Sequence, residues 1–185
     1  MSATAPTEDA AARVERRWAV VSVSIMAMMV FLATFAGVHQ ATMPQPLLEL
    51  ADPRTLHIDG EFIESNLGSA LEPDGSVTVR IVGQQYSFTP QCIVVPTHTL
   101  VTFRAASADV VHGFLVQDTN VNLMLVPGYV SSLGTLFAKP TQSHMPCHEY
   151  CGTGHEGMWA NVHVIDKAEF LTLARQQRRV SCVAK

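Results

Sequence analysis

The chain has 185 residues, of which 48% are hydrophobic and only 15% charged, well below the roughly 25% charged of an ordinary soluble domain. Part of it therefore belongs in lipid, and the length allows about one domain plus an appendage. Twelve Lys+Arg against 16 Asp+Glu give a net charge of −4 with no basic block, which argues against a nucleic-acid partner. Four cysteines are too few for a disulfide framework.

Residues 1–17 read as a cytoplasmic N-terminal tail. From Trp18 to Val38 runs WAVVSVSIMAMMVFLATFAGV without a charge, and about 20 apolar residues span a bilayer as a helix. Arg13, Arg16 and Arg17 precede it and the next basic residue is Arg54. The positive-inside rule then holds the N-terminus in the cytoplasm and exports the chain beyond the helix. A cleaved signal peptide is the alternative, given small Thr34, Ala36 and Gly37, but the apolar run is longer than the usual h-region.

Residues 39–76 carry Pro44, Pro46, Pro53 and Pro73 with scattered acids, and read as a linker with one helical turn around Leu47–Leu50. Its six acids and one base between Asp52 and Asp74 read as solvated. From Val77 the texture changes to short β-branched runs at 77–83, 92–95, 100–105, 112–116, 122–126, 132–137 and 159–165. Strands at this spacing make a mainly β domain, a sandwich or small barrel over 77–166, with turns at Pro127-Gly128 and Lys139-Pro140. Asp166 and Glu169 then suggest an N-cap and capping pair for a short helix through Arg179 within the C-terminal stretch 167–185.

The chemistry is concentrated in Cys147-His148-Glu149-Tyr150-Cys151-Gly152-Thr153-Gly154-His155-Glu156-Gly157-Met158. Two thiols, an imidazole and a thioether form a soft and borderline donor set that favours copper, on a loop that its glycines allow to fold tightly. A second imidazole is expected from an adjacent strand, and His112, following Asp109-Val110-Val111, is best placed. A mononuclear blue-copper site leaves one Cys surplus and tetrahedral zinc leaves Met158 idle, whereas two coppers bridged by both thiolates use every donor.

Here the sequence resembles the binuclear CuA domain of haem-copper oxidase subunit II, whose motif is C-x-[EQ]-x-C-x-x-x-H-x-x-M after a His in a D-V-x-H context. The match runs from about Val77 to Ile165, and the single preceding helix is similar to the shorter B-type subunit II. The resemblance implies a cupredoxin-like Greek-key β-sandwich with copper at one end. It implies that Cys147 and Cys151 bridge both coppers, that His112 and Met158 complete one, and that His155 and the Glu149 carbonyl complete the other. In the family a glutamate side chain at the Glu149 position can also bind Mg²⁺ or Mn²⁺ at the border with subunit I. The family usually has an aromatic residue four positions before the first Cys, where this chain has Ser143, with Pro146 directly before Cys147; that departure bears on strand pairing and not on the ligands.

Tyr86 and Trp159 are candidates for the aromatic surface through which an electron arrives, with the sandwich core as the plainer reading. His144 and His148 flank the loop outside the ligand set, and His39, His57, His98 and His163 read as surface or strand residues. Cys92 and Cys182 either pair or stay free. The function implied is the electron-accepting subunit of a cytochrome c oxidase in a prokaryotic plasma membrane, a single-pass protein with its copper domain in the periplasm. Cytochrome c, or a similar donor, reduces the copper pair, which passes the electron to haem in subunit I, where oxygen becomes water. A tethered copper chaperone fits poorly, because His155 and Met158 follow Cys151 at once in a β-rich chain. The chain has no room for the propeller of nitrous oxide reductase. The CuA subunit of a nitric oxide reductase would look much the same in sequence.

Overall fold

The computed structural model describes residues 7–39 and 49–182, as two compact units. The first is helix α1, Thr7–His39. Within it Ala10–Val38 is long and apolar enough to cross a membrane, with a mean hydropathy of 2.3 over its most apolar 18 residues. The helix begins well before Trp18, so most of the stretch read as a tail is helical. Ala10–Ala12 and the Arg and Glu residues after them are among the best helix formers.

The second unit is built from β1 (Gly68–Leu71), β2 (Val77–Gln84), β3 (Ser87–Thr89), β4 (Cys92–Pro96), β5 (Leu100–Ser107), β6 (His112–Leu115), β7 (Asn122–Leu125), β8 (Ser131–Leu136), β9 (Thr141–Pro146) and β10 (Trp159–Ile165), followed by α2 (Lys167–Gln176). One sheet has the order β1-β2-β5-β8 with β3 on β2, a second the order β4-β10-β9, and β6 pairs with β7. Between the two larger sheets lie Val79, Ile81, Phe103, Phe114, Met145, Val162 and Phe170, all fully buried. β2 is buried on both faces and reads as a continuous β-branched run, as a central strand does.

The stretch expected to be a linker is partly built into this unit. Leu50 bridges Tyr129, and β1 pairs antiparallel with β2 from Gly68↔Arg80 to Leu71↔Val77; residues 47 and 48 of the expected helical turn lie outside the described residues. The acids are not simply solvated either. Glu61 pairs with Arg104 and Arg80, Glu72 with Arg80, and Glu49 with Arg104.

Despite Ser143, β9 pairs with β10 throughout, Ser143 opposite Val162. Asp166 occupies the N-cap of α2 without a side-chain bond, so the expected capping pair does not form. That helix ends at Gln176 because the tail turns back: Val180 exchanges main-chain hydrogen bonds with Ser69 of β1, and the Cys182 N–H donates to Cys92 of β4 at 3.3 Å. Cys92 and Cys182 form a disulfide.

Candidate metal centre

His112 opens β6, whereas Cys147 directly follows β9 and Met158 directly precedes β10. Because Pro146 and Trp159 are register partners, the twelve-residue motif is a hairpin excursion that leaves and returns at one place. The Cys147 N–H closes it on the Met158 carbonyl at 3.0 Å. β6 is fastened alongside by the bridge between Phe114 and Cys147 and by the His148 N–H on the Gly113 carbonyl at 3.0 Å. A short 3-10 turn at His155–Gly157 brings His155 back toward Cys151. At Gly152, φ is +134° and an added Cβ would meet the Tyr86 hydroxyl at 2.6 Å, so both the angle and the space require glycine.

All six donors expected from the sequence converge. Cys147 Sγ lies 3.9 Å from Cys151 Sγ, 3.9 Å from His112 Nδ1 and 3.2 Å from the Glu149 carbonyl oxygen. Cys151 Sγ lies 3.6 Å from His155 Nδ1 and 3.7 Å from Met158 Sδ. Donors about 2.0–2.3 Å from a shared ion stand roughly 3.3–3.8 Å apart, so these separations suit a metal without large rearrangement. Both thiols are free and buried, His112 and Met158 have no exposed surface, and His155 is partly exposed.

The electrostatics point the same way. No Lys or Arg occurs in 105–115 or 141–159, so a thiolate here has no side-chain cation from these segments to offset its charge. Burial and the neighbouring Cys147 push the Cys151 thiol up to about 11, and a bound cation supplies what that environment lacks. Asp109 accepts from His112 Nε2 at 2.8 Å, from the Val110 N–H at 2.6 Å and from the Gln85 N–H at 2.7 Å. Burial opposes its charge, yet the Gln85, His112 and Val110 hydrogen bonds outweigh it and hold the carboxyl below the usual range. An ionised carboxylate only accepts, which assigns the His112 proton to Nε2 and leaves the Nδ1 lone pair toward Cys147.

The other candidates stay outside the donors. His148 is an exposed residue whose ring lies along the Gly113 backbone, with Nδ1 3.7 Å from the Glu149 carboxylate. His144 Nδ1 is 3.0 Å from Asn161 Oδ1, and its ring meets Trp159 edge to face. His57 and His98 are exposed and His163 is partly buried on β10; the side chain of His39 lies outside what is described. Tyr86 and Trp159 are not core: they are 39% and 47% exposed. Tyr86 packs on Gly152 and Gly154 of the loop, and the Trp159 indole N–H donates to the Glu156 carbonyl at 2.7 Å.

Sequence reasoning passed over Tyr150, 76% exposed and edge to face with His155. It used Asp109 only as context for His112 and gave it no role, although its place three residues before that histidine is the signal, since a ligand histidine needs an acceptor for its other nitrogen.

Comparisons with known proteins identify the family. Residues 77–165 match the family "Cytochrome C oxidase subunit II, periplasmic domain". Cytochrome c oxidase subunit 2 of Thermus thermophilus is 30% identical over 131 residues, 71% of this chain and 97% of that protein. A second protein of that description, also from Thermus thermophilus, is 29% identical over 81% of this chain and 90% of its own length. A chain from a haem-copper terminal oxidase dimer solved by cryo-electron microscopy superposes with a TM-score of 0.55 at 25% identity, covering 80% of this chain and 99% of that one. The chain belongs to the family of subunit II of the haem-copper oxidases, with a cupredoxin-like β domain behind one apolar N-terminal helix.

Proposed function

We propose that this subunit holds a binuclear CuA centre on His112, Cys147, Glu149, Cys151, His155 and Met158, and relays electrons from cytochrome c or a similar periplasmic donor to haem in subunit I. The observation that carries the reading is the number of donors in one place. Four further donors converge on a pair of thiols 3.9 Å apart, making six, and one tetrahedral ion uses only four. His112 and the Glu149 carbonyl lie beside Cys147, and His155 and Met158 beside Cys151, so two ions sharing both thiolates would each find two further donors, in the pairing that the family resemblance implies. When bound, the copper pair takes up and gives back a single electron, spread over both metals and both sulfurs.

The chain's own residues keep that exchange cheap in nuclear motion. Asp109 fixes the His112 ring and tautomer, the Met158 carbonyl holds Cys147, and burial keeps solvent away from four of the donors. Tyr86 and Trp159 form the half-exposed aromatic surface through which the electron arrives. The Glu149 carbonyl faces Cys147 while its carboxylate is partly exposed beside His148; a Mg²⁺ or Mn²⁺ on that carboxylate, which the copper relay does not require, would take its remaining ligands from subunit I. Oxygen is reduced to water on that other chain. The three arginines in the N-terminal part of helix α1 support an N-terminus in the cytoplasm and a copper domain in the periplasm of a prokaryotic plasma membrane.

The test is elemental analysis and electron paramagnetic resonance of the purified full chain in detergent. The expected result is two coppers per chain and the hyperfine pattern of one electron shared by two copper nuclei. One copper per chain, or zinc bound in preference, would overturn it.

A further inference from the structure

We infer that Gln85, remote in sequence from every ligand, is a positioning residue joining the two halves of the metal centre. The inference rests on the copper reading above. The donors come from two separate pieces of chain: His112 from β6, and the other five from the loop between β9 and β10. Gln85, in the two-residue turn between β2 and β3, touches the support of both. Its main-chain N–H donates to Asp109 Oδ2 at 2.7 Å, and the other oxygen of that carboxylate holds His112 Nε2 at 2.8 Å. Its side-chain amide donates to the Cys151 carbonyl at 2.5 Å. The next residue, Tyr86, lies against Gly152 and Gly154, and its hydroxyl is 3.4 Å from that of Thr153.

The two contacts do different work. The main-chain N–H satisfies a carboxylate oxygen that would otherwise compete for the His112 proton, and any residue but proline supplies it. The amide is particular to the side chain. It pins the backbone of one bridging cysteine by holding the Cys151 carbonyl. Cys147 has its own brace, the N–H bond to the Met158 carbonyl. Loss of the amide therefore acts on Cys151 and spares Cys147.

Gln85→Met separates them, since methionine keeps the length and the main-chain N–H and removes the donor. In the full chain in detergent, copper affinity measured against a chelator should fall about 10- to 100-fold, the range found when a group supporting a metal ligand is removed. The reduction potential should also shift, because the backbone that carries one bridging sulfur is no longer held. Without metal, alkylation of Cys151 should speed up severalfold while that of Cys147 is unchanged, as peptide mapping reads out. Wild-type affinity, potential and alkylation pattern in Gln85→Met would overturn the inference, and so would equal acceleration at both thiols. Should that variant not fold, hydrogen exchange of the Gln85 side-chain amide in the metal-free wild type decides: protection is expected, and exchange as fast as in a free glutamine amide refutes the contact. A wild-type chain that takes up no copper would instead fail the underlying reading, and the metal-free measurements would still judge Gln85.

Discussion

Replacing both Cys92 and Cys182 by alanine should destabilise the domain without altering the metal centre. The disulfide joins positions 90 residues apart. Constraining a loop of that length lowers the entropy of the unfolded chain by the equivalent of about 4.6 kcal/mol at 25 °C, against roughly 2–5 kcal/mol found when native disulfides are removed. A loss of about 3 kcal/mol should lower the melting temperature of a unit this size by roughly 6–15 °C. The effect has a definite place in the fold. Val180 is hydrogen-bonded to β1 at the edge of the larger sheet, and Cys182 is hydrogen-bonded and disulfide-linked to β4 at the edge of the smaller. Three tail residues thus close one side of the sandwich. The assay is a thermal melt of the metal-free full chain in detergent, followed by circular dichroism, because bound copper would add its own stabilisation. The same variant loaded with copper at 25 °C should give the wild-type resonance spectrum, since the disulfide and the donors form separate clusters. A melt within about 1 °C of wild type would refute the stability argument, and a lost copper spectrum in a folded variant would refute the separation of the two clusters.

Other substitutions sort the donors by role. Cys151→Ser should abolish the shared-electron hyperfine pattern, Met158→Leu should keep copper but move the reduction potential as a weak axial ligand does, and His148→Ala should leave the spectrum nearly intact; a pattern surviving in Cys151→Ser means the ligands are misassigned. Asp109→Ala frees the His112 ring and should weaken copper binding about 10- to 100-fold, which chelator competition measures. The raised Cys151 thiol favours the folded metal-free chain fully below its ordinary value of 9.0, and that contribution is lost as pH rises through about 11. Copper must displace this proton, so affinity should fall as pH falls, and an unbuffered titration that releases no protons would contradict the assignment. A reporter fused after Lys185 should be active outside the cytoplasm, and activity confined to the cytoplasm would reverse the orientation.

The seven strands read from sequence all form, since each lies in a run rich in β-branched or apolar residues. The three missed strands lack that signature for separate reasons. β9 carries Thr141, Gln142, Ser143 and His144 and buries only Met145 fully, so its existence depends on β10 beside it. β1 is Gly-Ser-Ala-Leu, and its first three, small residues are buried where Val180 arrives from more than a hundred positions away. β3 is three residues long, shorter than any periodicity can register. The expected course of α2 to Arg179 failed for the same kind of cause. Helix propensity has no knowledge of a disulfide, and the Arg179 guanidinium is instead engaged by Asn66.

The donors were legible because five of the six fall within one loop, where ligand type and spacing survive any uncertainty about the fold. What holds them was not legible, and the reason is chemical. A donor atom needs a particular element, which the residue type announces, whereas holding it in place needs only a hydrogen bond, which nearly any residue can supply. Asp109 could be suspected from its three-residue separation from His112, a local relation. Gln85 stands 24 positions from Asp109 and 66 from Cys151, and nothing in its surroundings marks it. Yet its two bonds fix the groups that a relay must keep still. If His112 and Cys151 were free to adjust with each change of charge, the rearrangement would slow every transfer at small driving force. Rapid exchange at such a centre thus depends on residues that a motif cannot contain, and substitutions in the β2–β3 turn should alter transfer rate and potential while the copper stoichiometry of the chain stays the same.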